Sequence, residues 1–207
     1  MTSFPPASRL PASLPPLPAA AFPTAAAPLP GALDLPPLPA EAPEADLGDH
    51  RALRGVLGRF ATGVTVLTAG RDTPCGMTAN SFTSVSLDPA QVLVCVVKSA
   101  AIHAAVLAEG AFAVSVLARD QEWVARHFAD RNRPRGAKEF AGIGHTRGRH
   151  TGAPVLDHVQ AWLECRLGAV HEGGDHTIFV GTVLGAGRST GTDPLLYHGG
   201  AFARLAG

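Results

Sequence analysis

The sequence has no excess of charge of either sign. Its 207 residues contain 17 lysines and arginines and 17 aspartates and glutamates, so the formal net charge is zero. A neutral chain lacks the long-range field that attracts nucleic acid or an anionic membrane, and we expect neither as a partner. The sequence also lacks an apolar run of the roughly 20 residues that a membrane-spanning helix needs.

Cysteine is scarce as well. Cys75, Cys95 and Cys165 lie far apart and form no C-x-x-C pair. This argues against a disulfide framework and a structural zinc site, and favours a reducing compartment, the cytoplasm. Cys95 and Cys165 lie inside apolar strand patterns, and we expect both to be small core residues.

The patterns of hydrolytic and metal-dependent enzymes are missing. No two of the nine histidines have metal-ligand spacing on a credible helix, and we expect no metal. There is no G-x-S-x-G motif, Ser–His–Asp order or acid–base pair of carboxylates. Hydride transfer between two bound cofactors needs no protein nucleophile and is compatible with these absences.

A glycine-rich segment over 185–191 superficially resembles a dinucleotide-binding loop. That fingerprint must open a helix whose N-terminus holds the pyrophosphate. Here Thr192, Asp193 and Pro194 follow, and no helical pattern begins. We therefore interpret the segment as a turn.

The first 47 residues differ in composition from the rest. They hold 13 of the 18 prolines, mixed with alanine and few charges. Proline at this density blocks helices and sheet pairing, so we predict a disordered tail over 1–47 and one ordered domain over 48–207. The tail does not have the pattern of a signal peptide. It fits a linker, a partner-docking arm or a start codon placed too far upstream.

The remaining sequence predicts a mainly β domain with peripheral helices. Leu53, Val56, Leu57 and Phe60 form the apolar stripe of a helix that Asp49 would cap. Strands are predicted over 64–68, the stretch from 76, 92–97, 112–117, 161–169 and 176–184, and further helices over 100–107 and 121–129. Short turns between the strands favour a small closed or split β-barrel over a doubly wound sheet.

Burial can be predicted for three of these segments. The continuous apolar run over 92–97 predicts a strand buried on both faces. The alternation over 161–169 predicts a half-buried strand, with Glu164 on the polar side. The basic, glycine-bearing segment over 131–149 is interpreted as a mobile surface loop with one short turn around Phe140.

The most informative stretch runs from Gly76 to Pro89. Apolar residues alternate there with neutral polar ones, and Asp88–Pro89 closes the stretch as a turn would. The neutral polar residues are Thr78, Asn80, Ser81, Thr83, Ser84 and Ser86. Such a strand suits a flat, polar-edged heterocycle with a phosphate tail. An exposed strand with solvated hydroxyl groups fits the composition equally well.

Five blocks of sequence resemble the flavin reductase-like family. They are FATGVTVLT from Phe60, GMTANSFTSVSLDP from Gly76, FAVSVLA from Phe112, GDHTI from Gly174 and PLLYH from Pro194. They occur in order and with natural spacing over residues 50–205. The family consists of small NAD(P)H:flavin oxidoreductases that supply reduced flavin to separate monooxygenases.

The resemblance implies a fold and an activity. The family fold is an FMN-binding split β-barrel that forms a homodimer and holds FMN or FAD near the dimer interface. NADH or NADPH would pass a hydride to the flavin. The reduced flavin would then leave for a partner, a flavin-dependent monooxygenase.

The resemblance also implies which residues bind the flavin. The ring and the ribityl chain would be lined by Thr78, Ala79, Asn80, Ser81, Phe82, Ser84, Val85 and Ser86. Asn80 and Ser81 would lie nearest the ring edge. The phosphate would be taken by Val97, Lys98, Ser99 and His103, where a helix start beside a cation forms an anion site.

The implied catalytic residue is His176, in the Gly-Asp-His turn. Together with Tyr197 and His198 it would frame the nicotinamide, and Asp175 would fix the orientation of its ring. Without the family, an ordinary hairpin-turn histidine is the simpler interpretation.

Departures from the family pattern leave other functions open. Ala100 and Ala101 stand where the family commonly supplies hydroxyl groups, which weakens the phosphate end. One alternative is a flavin carrier or accessory protein without reductase activity. Another is a flavin-dependent oxidase or oxygenase acting on a small molecule, since split barrels host several chemistries. The intact Gly-Asp-His and Tyr-His segments favour the reductase.

Overall fold

A computed structural model describes residues 44–190 and 193–205 of the chain. Almost all of the predicted tail, 1–47, lies outside the described residues. Within the described ranges, none of the helices has the length and apolar character required to span a bilayer.

Strands dominate the described chain, which confirms the prediction of a mainly β fold with peripheral helices. The strands are β1 (Thr62–Gly63), β2 (Thr65–Ala69), β3 (Cys75–Ala79), β4 (Thr83–Leu87), β5 (Ala90–Val97), β6 (Ala111–Val116), β7 (His145–Arg147), β8 (Pro154–Leu156), β9 (Ala161–Gly173), β10 (His176–Arg188), β11 (Leu196–His198) and β12 (Ala201–Ala203). The helices are α1 (His50–Leu57), α2 (Ala101–Glu109) and α3 (Glu122–Ala129).

Seven strands form one antiparallel sheet in the order β3-β2-β6-β9-β10-β5-β4. Smaller sheets are formed by β1-β11-β12 and by β7-β8. The connection between β3 and β4 approaches β5 through Ser81, whose hydroxyl donates to the Cys95 carbonyl at 3.0 Å and accepts from the Cys95 N–H at 3.1 Å. This side chain therefore holds the connection between β3 and β4 against β5.

The helix caps follow the sequence. The Asp49 carboxylate accepts from the N–H of Arg51 at 2.8 Å, and Gly110 ends α2 with a φ of 62°, which favours glycine. The helix α1 ends at Leu57, so Phe60, predicted as the last residue of its apolar stripe, follows the helix in a turn. Leu57 is 64% and Phe60 79% exposed in the single chain. In contrast, Phe128 of α3 is fully buried against the sheet.

The two cysteines that the sequence placed in the core differ. Cys165 is buried, and burial raises the pKa of its thiol to about 12. Cys95 is only half-buried, so its prediction as a core residue was wrong. The reason is that β5 alternates: its odd-numbered neighbours face a less covered side, whereas Val94 and Val96 point into the core. The run over 92–97 is therefore not buried on both faces.

The segment over 131–149 is not a surface loop along its whole length. It contains a 3₁₀ helix, Gly136–Phe140, and the strand β7. Phe140 is 3% exposed and packs against Phe128 with 5.2 Å between ring centroids. Glu139 is fully buried beside Arg133. The sequence did not predict the burial of Glu139 and Phe140, because Glu139 is charged and Phe140 lies next to it.

Two further expectations were wrong. Glu164 is 2% exposed, because its carboxylate accepts hydrogen bonds from the N–H groups of His150 and Thr151 at 2.9 and 2.8 Å. The segment over 185–191 was interpreted as a turn, but its first four residues, up to Arg188, belong to strand β10. A Cβ atom at Gly187 would lie 2.5 Å from the indole nitrogen of Trp162, so glycine is needed for close packing. Gly191 lies outside the described residues.

Candidate active site

Three clefts meet along β3 and the residues that follow it. Their volumes are about 720, 310 and 980 Å³. The first and second clefts share Thr78 and Ala129 in their walls, and the first and third share Asn80, Tyr197 and Gly200. The three clefts are therefore neighbours, and together we call them the trough.

The first cleft lies in the middle of the trough and has a mixed lining. Val64 and the aromatic rings of Tyr197 and Phe202 supply apolar surface. Arg126 lies over the Phe202 ring at 4.9 Å and pairs with Glu122 at 2.7 Å, so its charge is already balanced. The charge of Arg126 is therefore neutralised by Glu122, and Asp130 adds a further carboxylate to the lining of this cleft.

The second cleft forms the cationic end of the trough. Its walls include Ser99 and the first residues of α2, together with Arg131, Arg133 and Arg135. Met77, Val97 and Phe128 add apolar surface. An uncapped helix start beside three guanidinium groups is an electrostatically favourable place for an anion.

A buried ion pair holds this cleft in shape. The Arg133 guanidinium is 9% exposed and donates to the fully buried Glu139 carboxylate. Arg133 also donates to the carbonyl oxygens of Gly76 and Asp130, while Glu139 accepts from the N–H of Gly76 at 3.2 Å. The side chains of Arg133 and Glu139 therefore both bind the backbone of Gly76 in β3, two positions before Thr78.

The third cleft opens the other end of the trough towards α1. Asn80, Ser81, Phe82 and Thr83 form one wall, and α1 residues with Phe60 form the other. Because Phe60 is largely exposed, this wall is apolar and uncovered in the single chain.

Half of the residues implied by the sequence line the trough. They are Thr78, Ala79, Asn80, Ser81, Phe82, Val97, Ser99 and Tyr197. Two of these hydroxyls already have protein partners, since Thr78 donates to the Ala125 carbonyl at 2.6 Å and Ser81 bonds to β5. Asn80 is exposed and lines two clefts, so it is the polar side chain best placed to meet a ligand.

Other implied residues lie outside the trough. Ser84, Val85 and Ser86 are on β4, and the Ser86 hydroxyl accepts from the Asp88 N–H at 3.2 Å. His103 contacts the Thr177 hydroxyl at 2.8 Å and packs on Phe179, and His198 is exposed on β11. Their assignment to the ligand stays a prediction.

The turn between β9 and β10 carries Asp175 and His176. The Asp175 carboxylate contacts Nδ1 of His176 at 2.6 Å, and this hydrogen bond lowers the pKa of Asp175. Lys98 fixes the same turn: its ammonium group donates to Glu172 at 2.5 Å and to the Gly174 carbonyl at 2.8 Å. Lys98 is therefore engaged with the turn and does not line the second cleft.

Sequence reasoning missed the positive charges of the site. Arg126, Arg131, Arg133 and Arg135 all line the trough. The alternation of arginine over 131–135 was visible, but a run of charge usually marks a solvated surface. Only the fold shows that this segment closes over β3.

Comparison with known families identifies the chain. The flavin reductase-like domain matches residues 57–206. This chain belongs to that family. The resemblance inferred from the five sequence blocks is confirmed, and with it the class of enzyme, an NAD(P)H-dependent flavin reductase.

Three relatives illustrate the similarity of this flavin reductase. An NADH-dependent FAD reductase of Streptomyces globisporus is 49% identical over 171 residues, covering 81% of this chain and 94% of the relative. The reductase subunit HsaB of a flavin-dependent monooxygenase from Rhodococcus jostii is 37% identical, covering 76% and 78%. The solved structure of an NADH:FAD oxidoreductase from S. globisporus, with NAD and FAD fragments, has a TM-score of 0.76 at 47% identity, covering 80% and 98%.

These relatives agree with the predicted cofactors, a flavin and a nicotinamide nucleotide, and with a monooxygenase as partner. Among the described residues, no three histidine, cysteine or acidic side chains are grouped as a metal site would require.

Proposed function

We propose that this flavin reductase binds its flavin along the trough and reduces it with NADH for release to a separate flavin-dependent monooxygenase. The observation that supports the proposal is that two clefts of different character adjoin each other. A cleft that offers apolar surface together with the neutral polar groups of Thr78 and Asn80 lies beside a cationic one. This sequence of environments matches a flat heterocycle attached to a phosphate.

The middle of the trough fits the ring. Val64, Tyr197 and Phe202 offer apolar contact, and Thr78 and Asn80 lie beside them as neutral polar groups. A ring with polar edges needs such short, uncharged partners. When bound, the flavin supplies the electron-accepting ring that takes a hydride from the nicotinamide.

His176 is the residue that we assign to the nicotinamide. Its Nδ1 is bonded to Asp175, so Nε2 is the ring nitrogen left for a ligand. Asp175 holds the imidazole orientation, and Lys98 holds the turn behind it. The role of His176 is to orient the nicotinamide rather than to transfer the hydride, because direct transfer needs alignment of two rings.

We also propose that the active form is a homodimer in the cytoplasm. The apolar side of α1 supports this, because Val56, Leu57 and Phe60 are 56%, 64% and 79% exposed and adjoin the third cleft. Apolar surface of this kind marks an interaction site. The free thiols of the three cysteines suit a reducing compartment.

Turnover assays test the reductase directly. NADH and NADPH are each combined with FMN and FAD, and consumption of the reduced nucleotide is followed. We expect turnover that depends on added flavin and favours NADH, the nucleotide used by the Streptomyces globisporus relatives. Flavin binding without turnover would instead support the carrier function.

Sedimentation velocity tests the dimer. We expect the full chain to sediment as a dimer and the Phe60→Asp variant as a monomer, because a carboxylate cannot be buried unpaired in an apolar interface. Leu87→Asp is the control, since Leu87 is 93% exposed on β4 and does not line the third cleft. A wild-type monomer at micromolar concentration would contradict the proposal.

A further inference from the structure

The hairpin that carries His176 is held from behind by a histidine that lines none of the three clefts. We propose that this residue, His103, is a positioning residue for His176 and acts through the hydroxyl group of Thr177. The inference rests on the proposed function, because it concerns how the protein fixes the residue that we assign to the nicotinamide.

His103 lies on the first turn of α2 and contacts the start of β10. Its Nε2 lies 2.8 Å from the hydroxyl oxygen of Thr177, and its ring lies 5.3 Å from the Phe179 ring between centroids. Thr177 is 3% and Phe179 0% exposed, so both contacts are shielded from water. A buried polar group that loses its partner is costly, and the contact therefore fixes His103 against β10.

Thr177 directly follows His176 along β10. Successive side chains of a strand point to opposite faces of the sheet. His103 therefore holds Thr177 on the buried face and leaves His176 on the other face, where its side chain is 44% exposed. Because the two residues share a peptide unit, a displacement of Thr177 also displaces His176.

A second contact comes from the residue just before α2. The backbone N–H of Lys98 donates to the Asp175 carbonyl at 3.0 Å, and its ammonium group donates to the Gly174 carbonyl at 2.8 Å. The segment 98–103 thus binds the hairpin on both sides of His176. Residues 99–102 of the same segment line the second cleft. The start of α2 therefore sets the position of His176 relative to the trough.

This contact differs from the role that the family resemblance implies for His103. The resemblance places His103 at the phosphate of the flavin. In the structure its Nε2 is engaged by Thr177, and its ring packs on Phe179. Both contacts direct the side chain towards the hairpin of His176.

The test removes the Thr177 hydroxyl with little change in side-chain shape. Thr177→Val lacks the hydroxyl, Thr177→Ser retains it, and Thr182→Val is the matched control, five residues further along β10. The first measurement needs neither flavin nor nucleotide: the imidazole proton resonances of His176 are followed by NMR and assigned with His176→Ala. We expect Thr177→Val to shift these resonances, and Thr177→Ser and Thr182→Val to leave them as in the wild type.

Kinetics and flavin binding provide the second measurement. We expect Thr177→Val to raise the KM for NADH about fivefold, with the dissociation constants of FMN and riboflavin unchanged, because one hydrogen bond is lost. Combined with His176→Ala, the same substitution should add no further effect, because the residue that it positions is gone.

Unchanged His176 resonances in Thr177→Val would overturn the inference. Multiplied effects on KM in the double variant would also overturn it, since they would show that Thr177 acts independently of His176. Weaker binding of FMN but not of riboflavin by His103→Phe would place His103 at the phosphate instead. If the resonances shift as expected but the wild type does not turn over NADH, the proposed function fails and the positioning of His176 stands.

Discussion

Two ion pairs lie close to the cationic end of the trough, and they differ in burial. Arg133 and Glu139 have side chains that are 9% and 0% exposed, whereas Lys98 and Glu172 are 42% and 80% exposed. The buried pair shapes the cleft wall, and the exposed pair holds the turn that carries His176.

Burial gives the two pairs different consequences. Removing one member of a buried pair leaves a desolvated charge, which is costly. An exposed pair exchanges its partner for water at little cost, although it can still restrict a turn. We therefore expect the buried pair to control folding and the exposed pair to control only ligand use.

Disruption of the buried ion pair of Arg133 and Glu139 should give the largest loss of stability. Glu139→Gln removes the charge beside Arg133 and should lower the free energy of unfolding by about 3 kcal/mol. Urea denaturation monitored by tryptophan fluorescence measures the change. Glu109→Gln is the control, an exposed acidic residue at the end of α2. Equal free energies of unfolding for Glu139→Gln and Glu109→Gln would show that the burial of Glu139 does not make its charge important for stability.

A smaller loss of stability is expected for the Gly76→Ala variant. The added Cβ atom would lie 2.6 Å from the Phe128 ring, and overpacking of this kind costs about 1–3 kcal/mol. Because Gly76 is gripped by both members of the buried pair, the shift should also weaken flavin binding. Gly55→Ala is the control, since a Cβ atom there meets nothing within 4 Å. Equal destabilisation by both alanines would contradict the packing argument.

His176→Ala tests the turn without touching the trough. We expect the KM for NADH to rise about tenfold while the dissociation constant of the flavin is unchanged, because one hydrogen-bonding group is lost. Steady-state kinetics and flavin fluorescence provide the two measurements. His171→Ala, an exposed histidine on the same hairpin, serves as control. An equal loss of flavin binding would contradict the assignment of His176 to the nicotinamide.

Lys98→Met should give the smallest effect. We expect a KM for NADH about twofold higher and no measurable change in the unfolding midpoint, because the pair is exposed. Glu172→Gln should behave in the same way, and the double variant should be no worse than either. If Lys98 instead bound phosphate, Glu172→Gln would free it and tighten FMN binding.

The sequence predicted most of the strands and helices, and part of the candidate active site. Alternating apolar residues identified β2, β3, β6, β9 and β10, and Asp49 and Gly110 marked helix ends through their cap chemistry. These signals are local, so they can be detected without the fold.

The rest depends on contacts between distant segments. Glu139 and Gly76 are 63 residues apart, and nothing in either neighbourhood indicates that they meet. Glu164 appeared solvent-facing for the same reason, because its partners at His150 and Thr151 come from a covering segment. Tertiary burial of charge is invisible to periodicity.

The grip of Arg133 and Glu139 on Gly76 has a consequence for self-association. β3 is a terminal strand of the seven-stranded sheet, and terminal strands invite pairing with another chain. One carboxylate and one guanidinium occupy the N–H and the carbonyl of Gly76 that a foreign strand would use. On β5, which is not a terminal strand, Ser81 occupies the N–H and the carbonyl of Cys95 beyond the part paired with β4. Side chains thus occupy the place of a neighbouring strand at Gly76, which disfavours pairing of this sheet edge with another chain.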